Sequence, residues 1–69
     1  MRNGLRVRVA KLESARGMLV HGRHLSVREV GVTGTIQGHV PGHAGDVLWV
    51  EHDNSDDVGA YCSTEIEKV

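Results

Sequence analysis

The sequence predicts an all-β fold: a small five-stranded antiparallel barrel with a long first loop or hairpin. Three observations predict it. Leu5-Arg6-Val7-Arg8-Val9 alternates strictly between apolar and charged residues, the period of a half-buried strand. Val, Ile and Thr recur along the chain, and no long stretch repeats at helical spacing; branched β-carbons fit a pleated surface. Nine glycines punctuate 69 residues. Glycine inside a strand marks a bulge or bend, and such bends let a short sheet curl.

The elements follow in order. Residues 5–9 make the first strand, with Leu5, Val7 and Val9 toward a core and Arg6 and Arg8 toward water. Residues 11–28 read as a hairpin. Met18-Leu19-Val20-His21 and His24-Leu25-Ser26-Val27 flank Gly22-Arg23, and Gly at the first turn position suits a two-residue type II′ loop. That pairing sets His21 opposite His24 and Val20 opposite Leu25. The competing reading is a helix around Leu12, Ala15 and Leu19, weakened by Gly17 and Gly22. The second strand of the barrel is predicted over residues 30–36, with Val30, Val32, Gly34 and Ile36 on one face. A loop follows, in which Pro41-Gly42 has the chemistry of a type II turn. Residues 46–51 form the next strand around Val47-Leu48-Trp49-Val50. A polar turn at 53–56 leads into a strand at 58–62. Ser63-Thr64-Glu65 makes a short turn before a closing strand at 66–69.

Length and composition bound the rest. A 69-residue chain accommodates one domain, residues 1–69, and a chain of this size buries only about 60% of its unfolded surface. The longest apolar stretches, 18–20 and 47–50, fall far short of the roughly 20 residues of a membrane-spanning helix. No secretory signal pattern is visible, and Cys62 is the only cysteine. Together these predict a soluble, cytoplasmic protein without disulfides. Formal net charge is −1, but the halves differ. Residues 1–34 hold seven basic side chains against two acidic ones, and residues 35–69 hold one against seven. Pairing within one fold or between copies would neutralise them. In an antiparallel barrel whose ends meet, Arg6 and Arg8 are expected beside Glu65 and Glu67.

Gly31-Val32-Thr33-Gly34-Thr35-Ile36, Leu48-Trp49-Val50-Glu51, and Tyr61 followed by Glu65-Ile66-Glu67-Lys68-Val69 together resemble the layout of SH3-like small β-barrels. The likeness spans about residues 5–10 and 30–69 and leaves 11–28 as an insert in the first loop. It implies the fold and no single activity, because peptide binding, ribosome or polymerase contact, accessory subunits and a plasmid-borne reductase all use such barrels. The aromatics of a Pro-rich peptide groove are not matched, since Trp49 and Tyr61 are the only ones here. The reductase's Val-Gln-Ile-Tyr stretch has no counterpart. No functional residue is carried over from any of these families.

Five histidines in so short a chain raise the question of a metal. His39, His43, His52 and Cys62 are the candidate ligands, because zinc takes imidazole and thiolate. Their spacing fits no zinc signature, and solvated loop histidines are the simpler reading. Cys62 paired with a histidine would be a nucleophile only with a favoured thiolate and an orienting third group; its place in an alternating strand points to the core instead. Asp46, Glu51, Asp53, Asp56 and Asp57 lack the spacing of a calcium loop. Neither catalytic residues nor a cofactor is assigned, and the reading leans away from an enzyme.

Trp49 and Tyr61 are the interface candidates. With Leu48 and Val50 inward, Trp49 points outward, either as a contact anchor or covered by the long first loop. The sequence therefore predicts a non-catalytic interaction module that works within a homo-oligomer or larger complex, with a protein partner or a second copy. Two alternatives remain open. One is an oligomeric ligand-binding protein or enzyme with a small-molecule pocket between subunits, built on Trp49, Tyr61 and the 39–43 loop. The other is a nucleic-acid accessory factor using Arg6, Arg8, Arg16, Arg23 and Arg28, disfavoured by the acidic second half and the shortage of stacking aromatics.

Overall fold

In the computed structural model, which describes residues 1–69, the elements run β1 (Arg6–Val9), α1 (Arg23–Ser26), β2 (Thr33–His39), β3 (Val47–His52), β4 (Val58–Cys62), a 3-10 turn (Ser63–Glu65) and β5 (Ile66–Lys68). Five strands pair antiparallel in the order β4-β3-β2-β1-β5. The fold is all-β, and the first and last strands meet. The sheet stays open, with β4 and β5 at its two edges, so barrel describes it only loosely. No helix is long and apolar enough to cross a membrane.

Two apolar clusters hold the sheet. The first gathers Val7, Val9, Ile36, Leu48, Val50, Tyr61 and Ile66, with Leu5 against it. Every strand contributes to this one cluster, so the sheet must fold over on itself. The second gathers Val40, Val47 and Ala60 beneath Met18, Val20, Leu25, Trp49 and Cys62. β3 is therefore covered on both faces: Leu48 and Val50 enter the first cluster, Val47 and Trp49 the second. This is why residues 47–50 are uniformly apolar rather than alternating.

The segment 10–32 between β1 and β2 is neither a hairpin nor a long helix. Gly22 takes right-handed helical angles, φ −56° and ψ −26°, where a type II′ turn demands positive φ. Leu25 N and Ser26 N both donate to the Gly22 carbonyl at 3.0 Å, closing the single turn of α1. Val20 and Leu25 face the sheet instead of one another, and the segment lies across the second cluster as a strap.

β2 starts later and ends later than the sequence suggests. Gly31, at φ +91°, turns the chain with its N–H on the Val9 carbonyl, and this leaves Val30 54% exposed. The strand then runs on through Gly38 and His39. It does so by a bulge at Gln37, where the register with β3 shifts between Ile36 and Gly38.

Ion pairs join the basic and acidic halves, with one exchange of partners. Arg8 meets Glu67 at 2.6 Å, as the paired strands dictate. Arg6 reaches Asp53 rather than Glu65. Its neighbour across the sheet is Thr35, and the Asp53 N–H is bonded to Thr33 at 3.0 Å, which brings that carboxylate alongside. The Arg6 guanidinium and the Thr33 hydroxyl hold the Asp53 carboxyl far below the usual carboxylate range. Glu65 is buried and pairs with Arg28.

Gly34 is the tightest point of the sheet. A β-carbon there would collide with the Glu51 carbonyl and lie 2.7 Å from Val50 Cγ1, whereas at Gly38 the nearest atom is 3.9 Å away. Gly34→Ala is expected to lower stability by about 1–3 kcal/mol, the usual cost of overpacking. Gly38→Ala should stay within about 0.5 kcal/mol of the parent. Urea unfolding of the two variants checks this; equal midpoints would refute it.

Candidate functional site

The strap and the sheet face beneath it form the most elaborated surface of the molecule. It is held by polar contacts at four places. At its base, the Glu65 carboxylate is fully buried and accepts three hydrogen bonds. Cys62 N donates to Oε1 at 2.7 Å, Glu13 N donates to Oε2 at 2.5 Å, and Arg28 Nη2 donates to the same oxygen. The Glu65 main-chain carbonyl also takes Ala10 N at 2.8 Å and Lys11 N at 3.3 Å. One residue thus grips both ends of the strap.

Next, the Arg28 guanidinium lies over the Tyr61 ring at 5.5 Å, a cation–π arrangement sheltered from water. The Tyr61 hydroxyl accepts Glu29 N at 3.2 Å and lies 2.8 Å from His52 Nε2. Farther along, His24 Nδ1 donates to the Val58 carbonyl at 2.7 Å and its ring stands edge-on to Trp49, 4.7 Å between centroids. At the tip, Leu19 N donates to His43 Nε2 at 3.0 Å.

The predicted interface residues separate. Trp49 is half-buried, covered in part by the strap. Tyr61 is 0% exposed and is corrected from a surface contact to a core residue, because its ring fills the first cluster and its hydroxyl is spent on Glu29 and His52. The predicted metal candidates do not converge, and no group of three or more His, Cys, Asp or Glu side chains is placed to hold an ion. His52 is buried against Tyr61, His43 is spent on Leu19 N, and His39 is exposed beside Gly45. Burial, reinforced by the Glu65 charge, pushes the Cys62 thiol up, so the thiolate that nucleophilic attack needs is disfavoured.

Three surface clefts of about 320 to 520 Å³ border the strap and the termini. The one beside α1 is polar, with Arg23 and His24 facing Asp56 and Asp57. Arg6, Arg8 and Arg28, three members of the supposed nucleic-acid patch, are each committed to a carboxylate.

Sequence reading missed Glu65 and Arg28 as a buried pair. The visible signal is a carboxylate placed just before the apolar Ile66. Comparison of the chain with protein-family models, curated proteins and solved structures gives no match.

Glu65→Ala leaves Arg28 buried without its partner and is expected to cost about 3–5 kcal/mol, read by chemical denaturation; a loss under 1 kcal/mol would refute the pair's importance. His52 supplies a pH dependence. Burial pushes its imidazole below the usual value near 6.5, so the unfolded chain binds the proton more readily than the fold. Its contribution to stability is present above about pH 6.5 and is lost as pH falls below it. His52→Gln, which retains an acceptor for Tyr61 and does not titrate, should show a shallower fall in melting temperature between pH 7 and 5.

Proposed function

We propose that the protein is a non-catalytic interaction module that works within a homo-oligomer or larger complex, and that it makes contact through the outer side of the strap. The observation that supports this reading is Leu19. It is 71% exposed while Met18 and Val20 on either side pack into the Trp49 cluster. Its backbone is pinned to His43, so a large apolar side chain is presented outward from a fixed position. Leu12 and Val30, at 43% and 54% exposure, lie on the same segment. Apolar side chains carried by an ordered backbone lose only their rotamer freedom when a partner covers them, and the burial of each contributes at most about 1.5–3 kcal/mol.

Size-exclusion chromatography with light scattering tests the reading. The expected result is a mass above the 7.5 kDa of one chain that rises with concentration, and a return to the single-chain mass in Leu19→Ser. Leu19 belongs to neither apolar cluster, so the variant should melt within a few degrees of the parent. A single-chain mass for both proteins at all concentrations would remove self-association through this surface.

A further inference from the structure

The histidines that form no metal site are concentrated where the strap meets the sheet. Their ring nitrogens act as hydrogen-bond acceptors. His24 Nε2 takes Arg23 Nε at 3.4 Å. His43 Nε2 takes the Leu19 N–H at 3.0 Å, and within the strap itself His21 Nδ1 takes the Arg23 N–H at 3.1 Å. In both the donor is a main-chain amide, so the ring nitrogen cannot carry a proton. His52 Nε2 lies 2.8 Å from the Tyr61 hydroxyl, which also accepts Glu29 N; a hydroxyl can take a second donor, so this pair tolerates either state of the ring. Protonating the imidazole of His43 or His21 converts its nitrogen from acceptor to donor and sets N–H against N–H.

We propose that the strap is a pH-sensitive element, anchored by neutral imidazoles and loosened from the face that holds Trp49 when they protonate. The charged surroundings differ between the three rings. Burial disfavours the His52 imidazolium and outweighs Asp57 and Asp53 from the β3–β4 turn and Glu29 from the strap, whose charge favours it. His21 has Arg23 as its near neighbour. His43 meets only the Leu19 amide from the strap, and its own loop carries Asp46 and His39.

The release is partial and reversible by construction. His24 donates through Nδ1 to the Val58 carbonyl, a bond that an imidazolium also makes. The Arg28–Glu65 pair stays tied at the base. Acidification thus frees the 18–21 tip while the strap remains tethered.

The inference needs no partner, so it stands or falls apart from the interaction reading. Its test is amide NMR of ¹⁵N-labelled protein at pH 7.5 and 5.5. The Leu19 and Arg23 resonances should shift, and their heteronuclear NOE should drop toward that of a mobile segment. Val7, Val50 and Ile66 should keep theirs. His43→Gln places an amide oxygen where Nε2 was and cannot titrate, so the pH response at Leu19 should vanish, whereas His39→Gln should leave it intact. The Leu19 shift must also follow the ring titration of His43 in the unmodified chain, a readout that does not depend on any variant folding. The proposal is overturned by a strap unchanged at pH 5.5, by a full Leu19 response in His43→Gln, or by strap and core amides losing order together.

Discussion

The Glu65 carboxylate has no contact with solvent, and the rest of the structure is arranged around satisfying it. A buried charge without partners costs far more than a 69-residue core can supply. Three donors from three segments meet it: Cys62 N from the end of β4, Glu13 N from the outgoing strap and Arg28 from the returning one. The strap cannot leave the sheet at its base without abandoning that charge. The 3-10 turn is fixed by the same carboxylate, because the Cys62 N–H precedes the turn that Glu65 ends. β5 then starts in register with β1, Ile66 opposite Val9.

This arrangement explains how a small open sheet acquires two cores. The fold-over of five strands makes the first cluster, and the strap makes the second by laying Met18, Val20 and Leu25 on the face that carries Val47, Trp49 and Ala60. Such a lid is stable only if its polar backbone is also satisfied. Side chains of the sheet and of its connecting loops meet that need at each place where the strap touches down: Tyr61 for Glu29 N, Glu65 for Glu13 N and His43 for Leu19 N. The first two of these partners are buried and the third stands at the surface, so the strap is fixed most firmly at its base and least at its tip.

Much of the sheet was legible in the sequence, because its signals are local. Strict alternation at 5–9 placed β1, the polar turn at 53–56 separated β3 from β4, and Ser63–Glu65 was read as the turn it is. The strap was not legible for a physical reason. One helical turn is too short to establish a 3.6-residue period, and Gly22 before Arg23 carries the same letters whether φ is helical or positive. The second core was half visible. Residues 47–50 form an unbroken apolar run, which signals a strand covered on both faces; alternation leaves Trp49 either an exposed anchor or covered by the first loop, and the structure shows the loop over it. Tyr61 was named for its chemistry as an aromatic, while its burial depends on contacts from four other strands that no local pattern carries.

The same distinction applies to charge. Composition alone showed a basic first half and an acidic second half, and three ion pairs do join them. The pairs are physically unlike. Arg6–Asp53 and Arg8–Glu67 stand in water, where ion pairs of this kind contribute little and weaken with salt. Arg28–Glu65 is buried, 6% and 0% exposed at its two side chains, and its removal from one side leaves a charge with nowhere to go. Equal letters in a charge count thus stand for one determinant of the fold and two minor adjustments of its surface. The determinant sits under the strap, where it ties the longest segment between strands to the sheet. Whatever the strap contacts outside the molecule, its position is set from inside by a carboxylate that the outer surface never shows.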